Sequence, residues 1–381
     1  LKKIITIIGA RPQIIKASAL SRAIRERFSD SINEIIVHTG QHYDENMSAV
    51  FFDEMGIPQP DYNLAVGSGN HGQQTAKMMD GLEEIYVTEK PNAVVIYGDT
   101  NSTLAGALAA AKLHIPVVHI EAGLRSFNKR MPEEVNRITA DHVSTLLFSP
   151  TKTGIDNLKR EGFNVDRQGK ADINNPFIYH CGDIMYDNSI YFSSVSDERS
   201  RIIEELGLQD TPYILSTVHR DSNTDVNENM DAIFSALIEI SEKSAKRVVL
   251  PMHPRTKNKL ESHLSEEIRK TLIESENIII IPPAGFLDII ALEKNAELII
   301  TDSGGLQKEA YFFKKPCIIL RPQTEWVEIV ENGNAILADA NKERILQAFE
   351  ELTNKDDYTY PPFYGDTDAA GFICDCIVNE L

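Results

Sequence analysis

Short apolar runs rich in Val and Ile recur along the chain with amphipathic stretches between them, and this alternation constrains the fold more than any other feature. In the first part the runs are Ile4–Ile8, Glu34–His38, Ala93–Tyr97, Val117–Ile120 and Leu146–Phe148, with helical patterns such as Ile14–Phe28 and Thr103–Leu113 between them. A strand that is apolar throughout, and not at every second residue, is buried on both faces, which requires a parallel sheet covered by helices. After about Asn174 the pattern restarts with Tyr213–Thr217, Arg247–Leu250, Ile278–Ile281, Leu298–Thr301 and Pro316–Leu320. The expected fold is α/β, with two Rossmann-like doubly wound domains facing a cleft. The polar, breaker-rich segment Asp166–Pro176 (DRQGKADINNP) marks the junction, giving an N-terminal domain over 1–173 and a second from 174. A length of 381 residues suits two such cores.

Composition narrows the function. Lys and Arg total 38 against 57 Asp and Glu, a formal charge of −19, and such a surface repels polyanions, so nucleic acid is excluded as a partner. An anionic small molecule stays open, because a few local cations and backbone N–H groups suffice to hold one. The four cysteines, Cys181, Cys317, Cys374 and Cys376, are too few for a disulfide scaffold and suit a reduced, cytoplasmic setting. Cys374-Asp-Cys376 lacks a second Cys/His pair, so no metal is assigned. No run approaches the length of a membrane span, and the short apolar start does not read as a signal peptide.

The chemistry-bearing residues follow the strands, where ligands bind in open parallel sheets. Gly9-Ala10-Arg11-Pro12 through Lys16 opens a helix with Pro in its first turn and two cations at the same end. That is either an anion cradle or a tight turn with solvated charges. It is neither a dinucleotide fingerprint nor a Walker loop, so neither NAD nor ATP is implied as a cofactor. Asp99 ends a strand and reads equally as a helix cap. Glu121 ends the next strand, and Glu133 opens a helix at Met131-Pro132-Glu133-Glu134. Capping explains any one of these acids, whereas the set of three suits proton transfer on a sugar or similar polyol. His219 follows a strand beside Arg220 and is either a buried bonded histidine or a group facing a phosphate. Ser303, Gly304 and Gly305 open a helix as a second anion site, with Glu309 placed to accept the hydroxyls of a ribose or to lie on the surface. A nucleoside diphosphate fits this set.

The blocks GARPQIIKA, HTGQHYDENM, YGDTNSTLAGALAA, HIEAGLRS, MPEEVNR, TDSGGLQKEA and TEWVE resemble the non-hydrolysing UDP-N-acetylglucosamine 2-epimerases, in that family's order and over nearly the whole chain. The resemblance implies the glycosyltransferase-B architecture, with a second domain over 174–362 and a last helix, 363–381, crossing back to the first domain. It implies interconversion of UDP-GlcNAc and UDP-ManNAc, or a close derivative, by elimination of UDP to a glycal and re-addition, without cofactor or metal, in a homodimer. The family's catalytic positions fall on Asp99, Glu121, Glu133 and His219. Arg11, Lys16, Arg220, Ser303, Gly304, Gly305 and Glu309 fall on UDP-binding positions.

Departures from the usual family pattern, GARPQIIKASA for GTRPEAIKMAP and a shorter stretch between Glu121 and Glu133, look more like the subgroup acting on UDP-2,3-diacetamido-2,3-dideoxyglucuronate. The C6 carboxylate of such a sugar needs a cation, and Arg130 in the shortened loop is the candidate. Of the family's activator-binding positions Gln41 and His42 remain, while Asp44, Ser68-Gly69 and Asp221-Ser222 depart, so weak or absent activation is expected. The alternative class on the same architecture, a glycosyltransferase, would need an acceptor and no three acids. A hydrolysing epimerase would release free sugar, and a silent binding protein would show no turnover.

Overall fold

Val and Ile fill the strand β1 (Lys2–Ile8), which is buried from Ile4 onward. β1 is the third strand of a seven-stranded sheet ordered β3-β2-β1-β4-β5-β6-β7. The other strands are β2 (Ile32–His38), β3 (Tyr62–Asn63), β4 (Ala93–Tyr97), β5 (Val117–Ile120), β6 (Leu146–Ser149) and β7 (Phe177–His180). Every pairing is parallel, for example Ile5 with Ile35 on one side and with Val94 on the other. The computed structural model describes residues 1–41, 56–166 and 168–381. Helices Arg11–Ala23, His71–Glu89, Asn101–Lys112, Pro132–His142 and Lys152–Arg160 cover the sheet. Ile5, Ile7, Val94 and Ile96 pack there against Met78, Leu82 and the alanine-rich face of Asn101–Lys112.

A second all-parallel sheet is ordered β10-β9-β8-β11-β12-β13. Its strands are β8 (Tyr213–Thr217), β9 (Arg247–Pro251), β10 (Ile278–Ile281), β11 (Leu298–Thr301), β12 (Cys317–Ile319) and β13 (Ala335–Leu337). Ile214, Val248, Leu298, Ile300 and Ile318 form its core with Phe234 and Leu237 of the helix Asn227–Ser244. In both sheets the strand order turns at the centre, between β1 and β4 in one and between β8 and β11 in the other. Connections leave that point toward opposite faces and open a crevice at the strand carboxyl ends.

The chain divides into Leu1–Asn188 with Pro362–Leu381, and Ser189–Pro361. The division therefore falls later than the junction read at 166–176. Phe177–His180 pairs with Leu146–Ser149 as the last strand of the first sheet, so the polar segment is a loop between neighbouring strands. The terminal helix Ala369–Glu380 belongs to the first unit, where Asp187 accepts the N–H of Ala369 at 3.2 Å and of Ala370 at 2.8 Å. Cys181, Cys317 and Cys374 form no disulfide. Among the described residues no helix is long and apolar enough to cross a membrane, and no group of His, Cys, Asp and Glu is placed to hold a metal ion.

Candidate active site

The turn after β1 is built so tightly that only glycine fits its first position. A Cβ on Gly9 would run into the hydroxyls of Thr39 and Ser102. Gln13 holds the turn, accepting from Ala10 N at 3.2 Å and donating to the Tyr97 carbonyl at the end of β4 at 3.0 Å. The helix that follows carries Lys16 back over Gly98, where its Nζ lies 3.2 Å from the place a Cβ would occupy, and into an ion pair with Glu121. Both partners are largely buried, at 12% and 14% side-chain exposure.

Asp99 follows β4 and pairs with Arg137, while Asn136 donates to the Asp99 carbonyl at 2.9 Å. Surrounding protein holds the Asp99 carboxyl above its ordinary range although 32% of the side chain is open. Arg137 and Lys16 pull it back, and the nearby Glu121 adds to the rise. Glu121 sits at φ 74°, a conformation rare outside glycine. Its own N–H and that of Ala122 both donate to the Phe148 carbonyl at 3.0 Å, which holds the turn. Such backbone costs about 1–3 kcal/mol and persists where its surroundings over-determine it.

In the second unit Asp302, at the end of β11, is fully buried and organises the turn after β8. It accepts from His219 N at 2.9 Å, Arg220 N at 2.9 Å and Asn223 Nδ2 at 3.0 Å, with His219 Nδ1 3.4 Å away. Burial lowers the His219 pKa; Asp302 opposes this, and His253 and Arg220 add to the fall. The His253 ring lies 5.3 Å from that of His219. Ser303 caps the helix Gly304–Phe312, leaving the backbone of Gly304 and Gly305 at its start. The side chains of Arg321 and Arg220 lie 3.6 and 4.0 Å from a Cβ placed on Gly304, and Glu309 Oε2 lies 3.9 Å from one on Gly305. Glu325 pairs with Arg321 through bonds of 3.1 and 2.8 Å and its Oε2 lies 3.9 Å from the same Gly304 position, so Arg220 is joined at this helix start by an ion pair.

The first unit thus brings Lys16, Asp99 and Glu121 together, and the second brings His219, Arg220, Ser303, Gly304, Gly305 and Glu309 to neighbouring strand ends. Glu133 lies exposed in the first turn of Pro132–His142 and makes no ion pair among the described residues. Arg130 is exposed, its N–H bonded to Asn128 Oδ1 at 3.2 Å. Gln41 is buried, accepting from Ser102 N at 3.1 Å and Oγ at 2.8 Å, and His42 lies outside the described residues. Sequence reasoning missed Arg137 and Asp302. The spacing of Glu134 and Arg137, three residues apart on one helical face with Oε2 and Nη1 3.6 Å apart, is a signal for the first.

The fold is of the glycosyltransferase-B class, with carboxylates at one switch point and a serine-capped, glycine-opened helix start at the other. The chain belongs to the UDP-N-acetylglucosamine 2-epimerase family, whose model matches residues 24–378. It is 47% identical over 379 residues to the UDP-2,3-diacetamido-2,3-dideoxy-D-glucuronate 2-epimerase of Pseudomonas aeruginosa, covering 99% of each chain. It is also 47% identical, with the same coverage, to a UDP-N-acetylglucosamine 2-epimerase homolog of Methanococcus maripaludis. The Methanocaldococcus jannaschii UDP-GlcNAc 2-epimerase, solved in complex with UDP-GlcNAc and UDP, matches with a TM-score of 0.84 at 41% identity, over 98% of this chain and 99% of that one.

Proposed function

We propose that this epimerase inverts C2 of a UDP-linked 2-acetamido sugar, interconverting UDP-GlcNAc and UDP-ManNAc, with Asp99 and Glu121 as the acid/base pair. The observation that carries the reading is the pair of strand-end carboxylates, each beside its own cation and each within the other's field. Two carboxyls in unequal surroundings suit a step in which one takes a proton and the other returns one. One carboxylate removes the C2 hydrogen as the C1–O bond breaks and UDP departs, leaving a glycal with a C1–C2 double bond. The other carboxyl then protonates C2 from the opposite face as UDP oxygen re-adds to C1. Leaving-group departure gives C1 oxocarbenium character, which acidifies the C2 hydrogen.

His219, Arg220 and the Ser303–Gly305 turn would hold the diphosphate, Glu309 the ribose, and Arg11 and Lys16 would add positive charge beside the diphosphate. Glu133 would assist UDP departure. A cytoplasmic homodimer is part of the same reading, and sedimentation tests its subunit number. Turnover in heavy water should place one deuterium at C2 of the product; product that keeps its original C2 hydrogen after a single turnover overturns the elimination route.

The likeness to the Pseudomonas enzyme supports a second reading, in which the substrate is UDP-2,3-diacetamido-2,3-dideoxyglucuronate and exposed Arg130 meets its carboxylate. Parallel NMR assays with the two sugar nucleotides decide between them by which substrate equilibrates.

A further inference from the structure

His119 and Asp141 have no part in the chemistry above, yet between them they tie down both acid-bearing turns. His119, in β5, is fully buried. Its Nδ1 lies 2.7 Å from Asp141 Oδ1 and its Nε2 2.8 Å from the Gly98 carbonyl oxygen. The ring thus bridges the Asp141 carboxylate and the Gly98 carbonyl. Asp141, in the last turn of Pro132–His142, is equally buried. Its other oxygen accepts from Gly123 N at 3.1 Å and from Arg125 Nη1 at 2.7 Å. Burial would raise this carboxyl, but His119 and Arg125 outweigh it and hold the group below the ordinary carboxylate range. Arg125 is in turn held by Glu161 through bonds of 2.7 and 2.6 Å.

One buried carboxylate therefore reaches the residue before Asp99 through an imidazole, and reaches Gly123, just past Glu121, directly. The far side of Gly123 is fixed as well, its carbonyl accepting from Asn157 Nδ2 at 3.1 Å. A Cβ on Gly123 would lie 2.5 Å from the Gly154 carbonyl, so this turn has no slack. Gly98 N–H also donates to the Ile120 carbonyl at 3.0 Å, and Lys16 reaches from beside Gly98 to Glu121.

We infer that Asp141 and His119 form a positioning clamp that sets the spacing of the Asp99 and Glu121 carboxyls, keeping proton return at C2 in step with the return of UDP to C1. The inference rests on the acid/base reading of those two residues. A misplacement of about 1 Å costs on the order of 100-fold in rate. Here it also lengthens the life of the glycal, so that glycal and UDP escape before re-addition.

The test is Asp141→Asn, which keeps the side-chain volume but sets an amide N–H against a donor on one side. The expected result is a kcat lower by about 10- to 100-fold, a KM for the UDP-sugar within about twofold of the parent, and a larger ratio of free glycal to epimer, quantified by NMR. If the variant does not accumulate in folded form, His119→Gln is read in the same way. Loss of activity together with thermal stability but with the parental glycal-to-epimer ratio overturns the clamp, as does a parental kcat. Asp99→Asn run alongside separates the two ideas: parental turnover there refutes the acid/base reading, whatever Asp141→Asn does.

Discussion

Asp99 is governed by opposing influences, and Arg137 is the one a single substitution removes most cleanly. Replacing Arg137 with Met leaves the Asp99 carboxyl to burial and to Glu121, both of which raise it, against Lys16 alone. The limb of the pH profile of kcat/KM that reports Asp99 then moves to higher pH. The rate at neutral pH falls by about 10- to 100-fold, as befits a lost charge-assisted hydrogen bond of roughly 1.5–3 kcal/mol. A profile displaced to lower pH, or left in place, refutes this assignment. Asp99, Glu121 and His219 stood out in the sequence because each follows an apolar run, whereas Glu133 stood out only as the start of a helix. Asp302 was not legible in its actual role: its carboxylate accepts from the turn after β8, some 80 residues earlier, with His219 N one of its donors at a separation of 83. That pairing exists only once β8 and β11 lie side by side.

Buried strands of continuous Val and Ile were readable because they meet helices on both faces and leave no polar alternation to confuse them. Of the edge strands only β10, a run of four isoleucines, was readable. Tyr62–Asn63 is too short to show a pattern, Ala335–Leu337 spans three residues, and Phe177–His180 follows a polar loop that imitates a linker. The misplaced junction has a counterpart in the terminal helix, which Asp187 caps from just inside the first unit. Burial pushes the Asp187 carboxyl up to about 6; the N–H groups of Ala370 and Ala369 oppose the rise, and Asp183 and Asp368 add to it. A carboxyl whose folded value exceeds its unfolded one contributes stability that is full below the unfolded value, near 3.9, and lost as pH climbs through about 6. The stability of the parent should therefore fall by on the order of 2 kcal/mol between about pH 4.5 and 7.5 relative to Asp187→Asn, which cannot ionise. Denaturant titrations of both proteins across that range measure it, and parallel curves contradict it.

At the scale of the whole chain, a net charge of −19 disfavours any anion, yet a UDP-sugar is the proposed ligand. The resolution is local: Arg220 and a capped helix start meet near Gly304, with Arg321 beside them in an ion pair with Glu325, and contact distances of a few ångströms lie well inside the screening length of about 10 Å at 0.1 M salt, whereas most of the acidic surface lies beyond it. In the proposed reading the two units divide the labour, with the ribose and helix-start ligands on Ser189–Pro361 and the C2 acids, with Arg11 and Lys16 beside the diphosphate, on the other. A substitution in the nucleotide set should remove binding that ground and transition states share. Glu309→Ala is the sharpest case, because a carboxylate accepting ribose hydroxyls is worth roughly 1.5–3 kcal/mol, or about 10- to 100-fold in affinity. The Kd for UDP by calorimetry and the KM for the UDP-sugar should rise together by that factor, with kcat at saturation within about threefold of the parent. A lower kcat with unchanged UDP affinity would move Glu309 from the nucleotide to the reacting sugar, and with it the division between the two units.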